Sequence, residues 1–264
     1  MYKEVVEITS RENPACKELK QVAGDNQSNY MLVEGKKLFL EIINSGLKIK
    51  KIFVQKNSWE NFSRFLPDAA GIEIIYMTND LLSSLYTTES KPDNEELIIS
   101  LVEKPLWKLK DLFKLRKNIV FLEGIQDPGN LGTIIRSVLA FEAAGIVLSK
   151  NSVNPFNTKV IRASAGAVFK TPILFAEDNS DFINCAKNET YKIVATSSKL
   201  KQKNNELEFS MPSVFMFGNE GSGLSQELLS VSDDVIMIPH SDKVESLNIA
   251  ISASLILWQT YKKK

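Results

Sequence analysis

The sequence predicts an α/β protein with two parts, a small N-terminal α/β domain and a larger C-terminal domain built on a parallel sheet. Short apolar runs alternate with segments of helical periodicity, as in strand–helix–strand repeats. In the C-terminal half the apolar runs are nearly continuous, which is typical of parallel strands covered on both faces. With 264 residues, of which 44% are apolar and 24% charged, the chain has the composition of an ordinary globular protein.

The N-terminal series is predicted to start with a helix at Pro14, because Asn13 and Pro14 together favour a helix start. A second helix is predicted over Lys36–Ser45, where Gly46 ends it. The runs YMLVEG, KKIFV, IEIIYM and LIISLV are predicted strands. The following stretch, KPLWKLKDLFKLRK, is predicted to be a partly helical connector.

The C-terminal series contains the predicted strands NIVFLEG, GIVLS, YKIVATS, VFMFG and VIMIP and the predicted helix GTIIRSVLAFEA. Each strand ends at Gly, Ser or Pro, so functional loops are expected at the carboxyl ends of the strands. The final predicted helix, residues 247–261, is apolar nearly all round. Such a helix is expected to be buried on several sides, by its own domain or by a second subunit.

Composition excludes several classes of protein. Cys16 and Cys185 are too few for a disulfide framework, which favours a reducing cytoplasm. No signal region and no apolar stretch long enough for a bilayer are present, so we expect no membrane partner. His240 is the single histidine, which argues against His-based metal sites and proton relays; no metal is expected.

Charge gives a weaker indication. The chain has 32 Lys+Arg and 32 Asp+Glu, and this balance counts mildly against a nucleic-acid binder unless basic residues cluster. Such clusters do occur, and each is either a solvated face or a phosphate-binding surface. They are Lys36/Lys37, Lys48/Lys50/Lys51/Lys56 and Lys199/Lys201/Lys203.

The first candidate motif is LEGIQDPGNLGTIIRS, a strand, a loop and the start of a helix. Asn130 is predicted at the junction of loop and helix and Arg136 further along the helix, where both can face one cleft. The alternative is that Asn130 caps the helix and Arg136 is a surface cation.

The second motif is FMFGNEGSGLS, in which a strand opens into Gly218, Gly221 and Gly223. Glycines let backbone amides approach a ligand closely. The spacing matches neither the dinucleotide fingerprint nor the P-loop, and Glu220 would repel a phosphate. The alternative is a plain tight turn.

The third motif is IPHSDKVESLNIAISAS, a strand, a loop and the final helix. Ser246 and Asn248 open the helix. Taken alone, Ser246 is explained as a helix cap, with Glu245 favourable at the positive helix end.

Together, DPGN-LG-x-I-x-R, FG-x-E-x-x-G and ESLN resemble the motifs of the SpoU branch of the SPOUT superfamily of RNA 2′-O-ribose methyltransferases. The N-terminal stretch from TSRENPACKELKQV to KIKKIFV is similar to the small ribosomal-protein-like RNA-binding domain fused to many of these enzymes. The resemblance implies an RNA substrate-binding domain over residues 1–103, a connector over 104–117 and a SPOUT methyltransferase domain over 118–264.

The implied fold is a parallel sheet whose C-terminal segment forms a deep trefoil knot, and the implied cofactor is S-adenosylmethionine. By resemblance, Arg136 activates the ribose hydroxyl or stabilises its charge, Asn130 orients substrate or Arg136, and Glu220 positions the loop and Arg136. Ser246 and Asn248 complete this catalytic set. The residues implied to hold the cofactor are Thr196, Gly218, Asn219, Glu220, Gly223, Ile238, Ser246 and Leu247.

The resemblance further implies structured RNA as the partner, with ribosomal RNA favoured over transfer RNA, and a homodimer. A catalytically silent RNA-binding or ribosome-assembly protein is the alternative from another class. Two positions depart from the pattern: many relatives have Gly where Asp242 stands and often Met where His240 stands. A local difference in the loop is expected at Asp242. His240 is interpreted as a loop residue without a role, and a catalytic base is the alternative.

Overall fold

The computed structural model describes residues 7–66, 71–87, 96–198 and 212–262. These residues form two compact units. Unit 1 contains the described residues up to Leu106 together with Phe156–Phe169. Unit 2 contains Trp107–Pro155 and the described residues from Lys170 onward.

The described part of unit 1 is built on a four-stranded mixed sheet with the order β1-β4-β2-β3. Strand β4 runs antiparallel to β1 and β2, whereas β2 and β3 are parallel. The strands are β1 (Tyr30–Glu34), β2 (Ile49–Val54), β3 (Glu73–Tyr76) and β4 (Ile98–Glu103). The helices among them are α1 (Pro14–Gly24), α2 (Lys36–Ser45), α3 (Trp59–Ser63) and α4 (Asn79–Leu85).

Helix ends in unit 1 follow the sequence signals. The side chain of Asn13 accepts a hydrogen bond from the backbone N–H of Ala15 at 3.0 Å, which caps α1. Gly46 ends α2 in the left-handed conformation with φ of 73°, and glycine adopts it without steric cost. The predicted start of α1 and the predicted end of α2 are therefore confirmed.

A short segment from later in the chain also belongs to unit 1. It carries helix α7 (Thr158–Ala163), whose Val160 and Ile161 are buried. Arg162 of this helix forms an ion pair with Glu34 at the end of β1, at 3.5 Å. Burial and charge pairing thus place this segment in unit 1, which differs from the prediction of one continuous domain over residues 118–264.

The described part of unit 2 is built on a six-stranded sheet with the order β10-β8-β9-β5-β6-β7. Every pairing in it is parallel, which confirms the predicted parallel sheet. The strands are β5 (Ile119–Leu122), β6 (Gly145–Leu148), β7 (Ile173–Phe175), β8 (Lys192–Thr196), β9 (Ser213–Phe217) and β10 (Asp234–Ile236). The helices are α5 (Leu109–Lys114), α6 (Pro128–Ala140), α8 (Asn179–Asn188), α9 (Gln226–Ser230) and α10 (Ile249–Lys262).

The predicted connector is partly helical, as expected, but its helix α5 is part of the core of unit 2. Leu112 and Phe113 are buried in the cluster that covers one face of the sheet. The ring of Phe113 lies 5.3 Å from that of Tyr191. The large apolar residues of this Lys-rich stretch therefore pack inside the unit, so it does not link units as a bare connector.

Helices α6 and α10 lie side by side and run in the same direction. The hydroxyls of Ser137 and Ser254 are 2.6 Å apart, and toward the C-terminal ends of both helices the rings of Phe141 and Tyr261 are 6.0 Å apart. Ile256 and Leu257 on α10 are buried. The final helix is thus buried on part of its circumference within its own unit.

In the described part of the chain, no helix has the length and apolarity needed to cross a bilayer.

Candidate active site

The motif loops meet at one edge of the sheet of unit 2. Strands β5 and β9 are neighbours, and β9 is followed across the sheet by β8 and β10. Because all of these strands are parallel, their carboxyl ends lie on the same edge. The loops that follow β8, β9 and β10 enclose a cleft of about 400 Å³.

All eight residues predicted to hold a cofactor line this cleft. They are Thr196, Gly218, Asn219, Glu220, Gly223, Ile238, Ser246 and Leu247. Of the predicted catalytic residues, Glu220, Ser246 and Asn248 line it as well, whereas Asn130 and Arg136 do not.

The glycine loop after β9 is held by two hydrogen bonds of Asn219 and by close packing of its backbone. Asn219 accepts a hydrogen bond from Gly223 N–H with its carbonyl at 2.8 Å and donates from its side-chain amide to the Gly124 carbonyl at 2.9 Å. A Cβ on Gly218 would lie 2.0 Å from the backbone of Gly223, and Gly223 itself has φ of 72°. The loop's close packing therefore requires glycine at 218 and 223.

Gly221 is different. A Cβ there would meet only the Asn219 Oδ1 atom, at an ordinary 3.5 Å. The loop itself therefore has room for a Cβ at this position, unlike at 218.

A chain of side-chain hydrogen bonds joins the three motifs. Asn130 Nδ2 donates to Glu220 Oε1 at 3.0 Å, and Asn248 Nδ2 donates to Asn130 Oδ1 at 2.9 Å. Asn248 Oδ1 in turn accepts from the N–H of Ala250 at 2.8 Å, which caps α10. A carboxylate only accepts and a helix N–H only donates, so the orientation of both amides is fixed from the two ends.

The caps differ from those considered for the sequence. Asp127 caps α6 by accepting from Asn130 N–H at 2.7 Å, so Asn130 lies in the first turn and its side chain is free for the chain to Glu220. Asn248 caps α10, and the Ser246 hydroxyl has no hydrogen-bond partner among the described residues. Ser246 is therefore not needed as a cap.

Arg136 lies on the exposed face of α6 together with Thr133. In the described ranges its guanidinium has neither a hydrogen bond nor an ion pair, and Glu220 binds Asn130 instead. Six residues along a helix place two side chains about 120° apart, so Asn130 faces α10 while Arg136 faces outward. Asn130 and Arg136 thus do not face one cleft, and Glu220 does not position Arg136 directly.

The cleft is acidic at its rim and apolar at its floor. The charged residues that line it are Glu220 and Glu245, and its described lining includes no lysine or arginine. Its buried apolar residues are Phe217, Leu224, Ile236 and Ile249. This charge suits a ligand with a cationic group and an apolar or aromatic body, and it disfavours a polyphosphate.

Comparison with known proteins places these motifs in a family. The model of the SpoU rRNA methylase family matches residues 117–258, which is more than half of the chain and includes all three motifs. The chain belongs to the SpoU rRNA methylase family. The resemblance found in the motifs is thereby confirmed.

Relatives of this SpoU-family chain match over nearly its whole length. An uncharacterized tRNA/rRNA methyltransferase of Synechocystis sp. is 29% identical over 267 residues, covering 99% of this chain and 95% of that protein. The 23S rRNA (guanosine(2553)-2′-O)-methyltransferase of Bacillus subtilis is 27% identical, covering 96% and 98%. The AdoMet-bound rRNA methyltransferase structure from Sinorhizobium meliloti matches with a TM-score of 0.83 and 27% identity, covering 98% of each chain.

One residue that holds this SpoU-family site, Glu123, was missed in the sequence, and so was the structural contact of Asn219. The Glu123 carboxylate accepts from Ser225 N–H at 2.8 Å, and Asn219 binds the Gly124 carbonyl. These bonds tie the loop after β9 to the end of β5 and so bring Glu220 to Asn130. The only sequence signal of Glu123 is that it is a polar residue directly after the buried strand β5.

The two departures from the family pattern have different outcomes. Asp242 does not have a positive φ; its turn closes by a hydrogen bond from Val244 N–H to the Ser241 carbonyl at 3.3 Å. A glycine is therefore not required at this position. His240, interpreted from the sequence as a loop residue without a role, lines the cleft.

In the part of the chain that the structure describes, no three His, Cys, Asp or Glu side chains form a group that could hold a metal ion.

Proposed function

We propose that this chain transfers a methyl group from S-adenosylmethionine to a ribose 2′-hydroxyl of RNA. Membership of an RNA methylase family supports this reaction, as does the name of the Bacillus subtilis relative, which states a 2′-O-methylation. The observation that carries the proposal is the cleft itself, which is lined by the second and third motifs, has carboxylates without lysine or arginine, and is joined to the first motif by the hydrogen bonds of Asn130 to Glu220 and Asn248.

The residues of the cleft fit S-adenosylmethionine. This molecule has an aromatic base, a ribose, a sulfonium and an amino-acid tail. The apolar floor suits the base, and the carboxylates of Glu220 and Glu245 suit the cationic groups. The backbones of Gly218, Asn219 and Ile238 line the cleft and would supply amide and carbonyl contacts. Thr196 has its hydroxyl bound to the Met216 carbonyl at 2.9 Å, so its contribution would also be through the backbone.

A substitution at Gly221 tests this fit. A Cβ there would make only an ordinary contact with Asn219, so Gly221→Val is expected to fold normally. It is expected to weaken S-adenosylmethionine binding by about tenfold or more, because the side chain would enter the cleft. Calorimetric titration checks this, and unchanged affinity would show that the cofactor does not lie against this loop.

When bound, the cofactor supplies an electrophilic methyl group on sulfur. Arg136 would bind the phosphate next to the target ribose and stabilise the charge that develops on the 2′-oxygen. A guanidinium keeps its proton at neutral pH, so binding and electrostatic stabilisation are its natural contributions. Asn130, held by Glu220 and Asn248, would orient the substrate, and the unpaired hydroxyl of Ser246 would complete the pocket.

We propose ribosomal RNA as the substrate and unit 1 as its additional binding surface, and with it a cytoplasmic location. The lysines of unit 1 are only partly available for this. Lys36 pairs with Glu96, Lys48 with Glu103, and Lys51 with Glu18 and Glu73. The cluster Lys199/Lys201/Lys203 lies outside the described residues. Phosphate contacts by the remaining lysines would still make binding weaken with salt.

Mapping of 2′-O-methylated positions in total RNA, with and without this chain, tests the function. A position in ribosomal RNA that loses its methyl group without the protein is the expected result. A lost position in transfer RNA would correct the substrate. No lost position, together with no binding of S-adenosylmethionine by calorimetry, would favour the silent RNA-binding protein.

We also propose that the C-terminal segment forms the trefoil knot. The strand order supports it: after β9 the chain passes β8 to form β10 and then returns to pack α10 beside α6. The TM-score of 0.83 to the Sinorhizobium meliloti structure supports the same fold.

A homodimer is proposed from the exposed side of α10. Ile251, Leu255 and Trp258 lie on one face of this helix and are 52%, 41% and 41% exposed. Leu139 on the neighbouring α6 is 41% exposed as well. A second copy related by two-fold symmetry would cover this apolar face with the same face of its own. Light scattering tests it, since a mass near 29.6 kDa would show a monomer.

A further inference from the structure

His240 is the only histidine of the chain, and none of the three motifs gives it a role. It lies in the loop after β10 and lines the cleft beside Ile238 and Ser246. Its Nδ1 atom is 2.7 Å from the carbonyl oxygen of Ile238, two residues earlier. The imidazole is therefore held against the backbone at the wall of the cleft.

This contact fixes the tautomer of the ring. A carbonyl oxygen only accepts hydrogen bonds, so Nδ1 carries the hydrogen and donates it to Ile238. In the neutral ring the lone pair is then on Nε2. Among the described residues Nε2 has no hydrogen-bond partner. The cleft wall thus offers one oriented acceptor that the fold does not use.

The sheet order shows which end of a ligand this acceptor would meet. Methyl transfer would take place near α6, which follows β5, because Asn130 and Arg136 lie on α6. His240 follows β10, and β10 is three strands away from β5, which separates these two strands by about 14 Å at the usual strand spacing. Ile238 and Leu247, two apolar residues of the same loop, also line the cleft. An aromatic base fits this end better than a charged amino-acid tail does.

We propose that His240 is a cofactor-binding residue whose Nε2 accepts a hydrogen bond from an O–H or N–H of the adenosine part of S-adenosylmethionine. This inference rests on the proposed function of the cleft and adds a side-chain contact to a site that otherwise offers mainly backbone.

Nitrogen NMR of the protein labelled in histidine tests the contact directly, since a single imidazole gives an unambiguous signal. S-adenosylmethionine, S-adenosylhomocysteine and adenosine are each expected to shift the Nε2 resonance, while Nδ1 stays protonated. Methionine alone is expected to leave it unchanged. The inference would be overturned if the Nε2 resonance stays in place while calorimetry shows saturation with S-adenosylmethionine. A shift caused by methionine alone would overturn the assignment to adenosine.

Two substitutions separate Nε2 from Nδ1. His240→Asn can keep the donor to the Ile238 carbonyl and removes Nε2, whereas His240→Gln keeps an acceptor near the position of Nε2 and loses the donor. We expect His240→Asn to raise the Kd for S-adenosylmethionine about tenfold, equivalent to about 1.4 kcal/mol. His240→Gln is expected to retain most of the affinity. Thermal melting of both variants checks that the fold is intact.

The reverse order, with His240→Gln weak and His240→Asn normal, would show that His240 only shapes the loop and would overturn the inference. A His240→Asn variant with normal Kd but reduced kcat at saturating cofactor would also overturn the inference. The imidazole would then act on the RNA or on the proton of the ribose 2′-hydroxyl. If the wild-type chain does not bind S-adenosylmethionine at all, the proposed function fails and this inference with it. Normal wild-type binding with an unchanged Nε2 rejects this inference alone.

Discussion

Two glutamates in the two units show how differently the same side chain is used. Glu34, at the end of β1, is 6% exposed and accepts hydrogen bonds from the backbone and hydroxyl of Thr87, both at 3.1 Å. Arg162 lies 3.5 Å from it. Glu220, in the loop after β9, is exposed and accepts one hydrogen bond, from Asn130.

The arginines differ in the same way. Arg162 has its guanidinium beside Glu34 and Thr87, whereas in the described residues Arg136 has no partner. A charge removed from water must be satisfied within the chain, because leaving it unpaired is costly. A charge that is to meet a substrate has to be left unpaired at the surface. Changes among Glu34, Thr87 and Arg162 should therefore reduce stability. Changes at Arg136, Asn130 and Glu220 should reduce activity.

The largest expected effect is that of Arg136→Ala. Loss of the guanidinium is expected to lower kcat by about 100-fold or more, as for removal of a donor that stabilises developing negative charge. Stability and cofactor affinity are expected to be nearly unchanged, because Arg136 is exposed and does not line the cleft. Single-turnover methylation, melting and calorimetry measure the three quantities. Wild-type turnover in this variant would remove Arg136 from the mechanism.

Asn130→Asp should have a smaller but clear effect. The new carboxylate cannot donate to Glu220 and would repel it, which breaks the hydrogen-bond chain at its centre. We expect kcat to fall by about 10- to 100-fold, the equivalent of one or two hydrogen bonds to a charged group. Asn179→Asp is the matched control, since it makes the same change in the first turn of α8. Equal activity of the two variants would show that the hydrogen bonds among Glu220, Asn130 and Asn248 do not matter for the reaction.

Sequence reasoning predicted the elements with a local signal. Asn13 and Pro14 mark the start of α1, Gly46 marks the end of α2, and continuous apolar runs mark the parallel strands. The short strand β7, with its pattern of one buried, one half-buried and one exposed residue, has no such signal and was missed. The membership of α7 in unit 1 depends on contacts with residues more than a hundred positions away, which no local pattern can reveal.

The candidate site shows the same limit. Its cleft residues were implied by the resemblance of the motifs to the SpoU family, and the loops after β8, β9 and β10 bring them together. The capping roles of Asp127 and Asn248, and the partner of Glu220, depend on the exact rotation of α6 and α10. A motif states which residues are near each other but not which atoms of those residues meet.

Arg162→Ala tests the other side of the comparison. Glu34 would remain buried with only Thr87 as partner. We therefore expect a loss of about 1–3 kcal/mol in the unfolding free energy of unit 1. This loss is smaller than for a fully buried pair, because the side chain of Arg162 is 32% exposed. The Kd for S-adenosylmethionine should change less than about twofold, a difference well below 1 kcal/mol. Urea denaturation and calorimetry measure the two effects. A variant with normal stability but poor cofactor binding would show that Arg162 serves the cofactor site and not the stability of unit 1.

The smallest expected effect is a pH dependence of stability that originates at Glu34. Burial raises the pKa of its carboxyl above the ordinary value, and the hydrogen bonds from Thr87 and the charge of Arg162 offset only part of this rise. The folded state therefore holds the proton to higher pH than the unfolded state does. Stability from this group is complete below the ordinary glutamate pKa and is lost as pH rises through the raised pKa. Glu34→Gln cannot titrate, so the difference in unfolding free energy between wild type and variant should change with pH in that direction. Denaturation at several values between about pH 4 and pH 8 measures this difference in unfolding free energy. A difference between wild type and variant that is constant over this range would mean that Glu34 is as well solvated in the fold as in the unfolded chain.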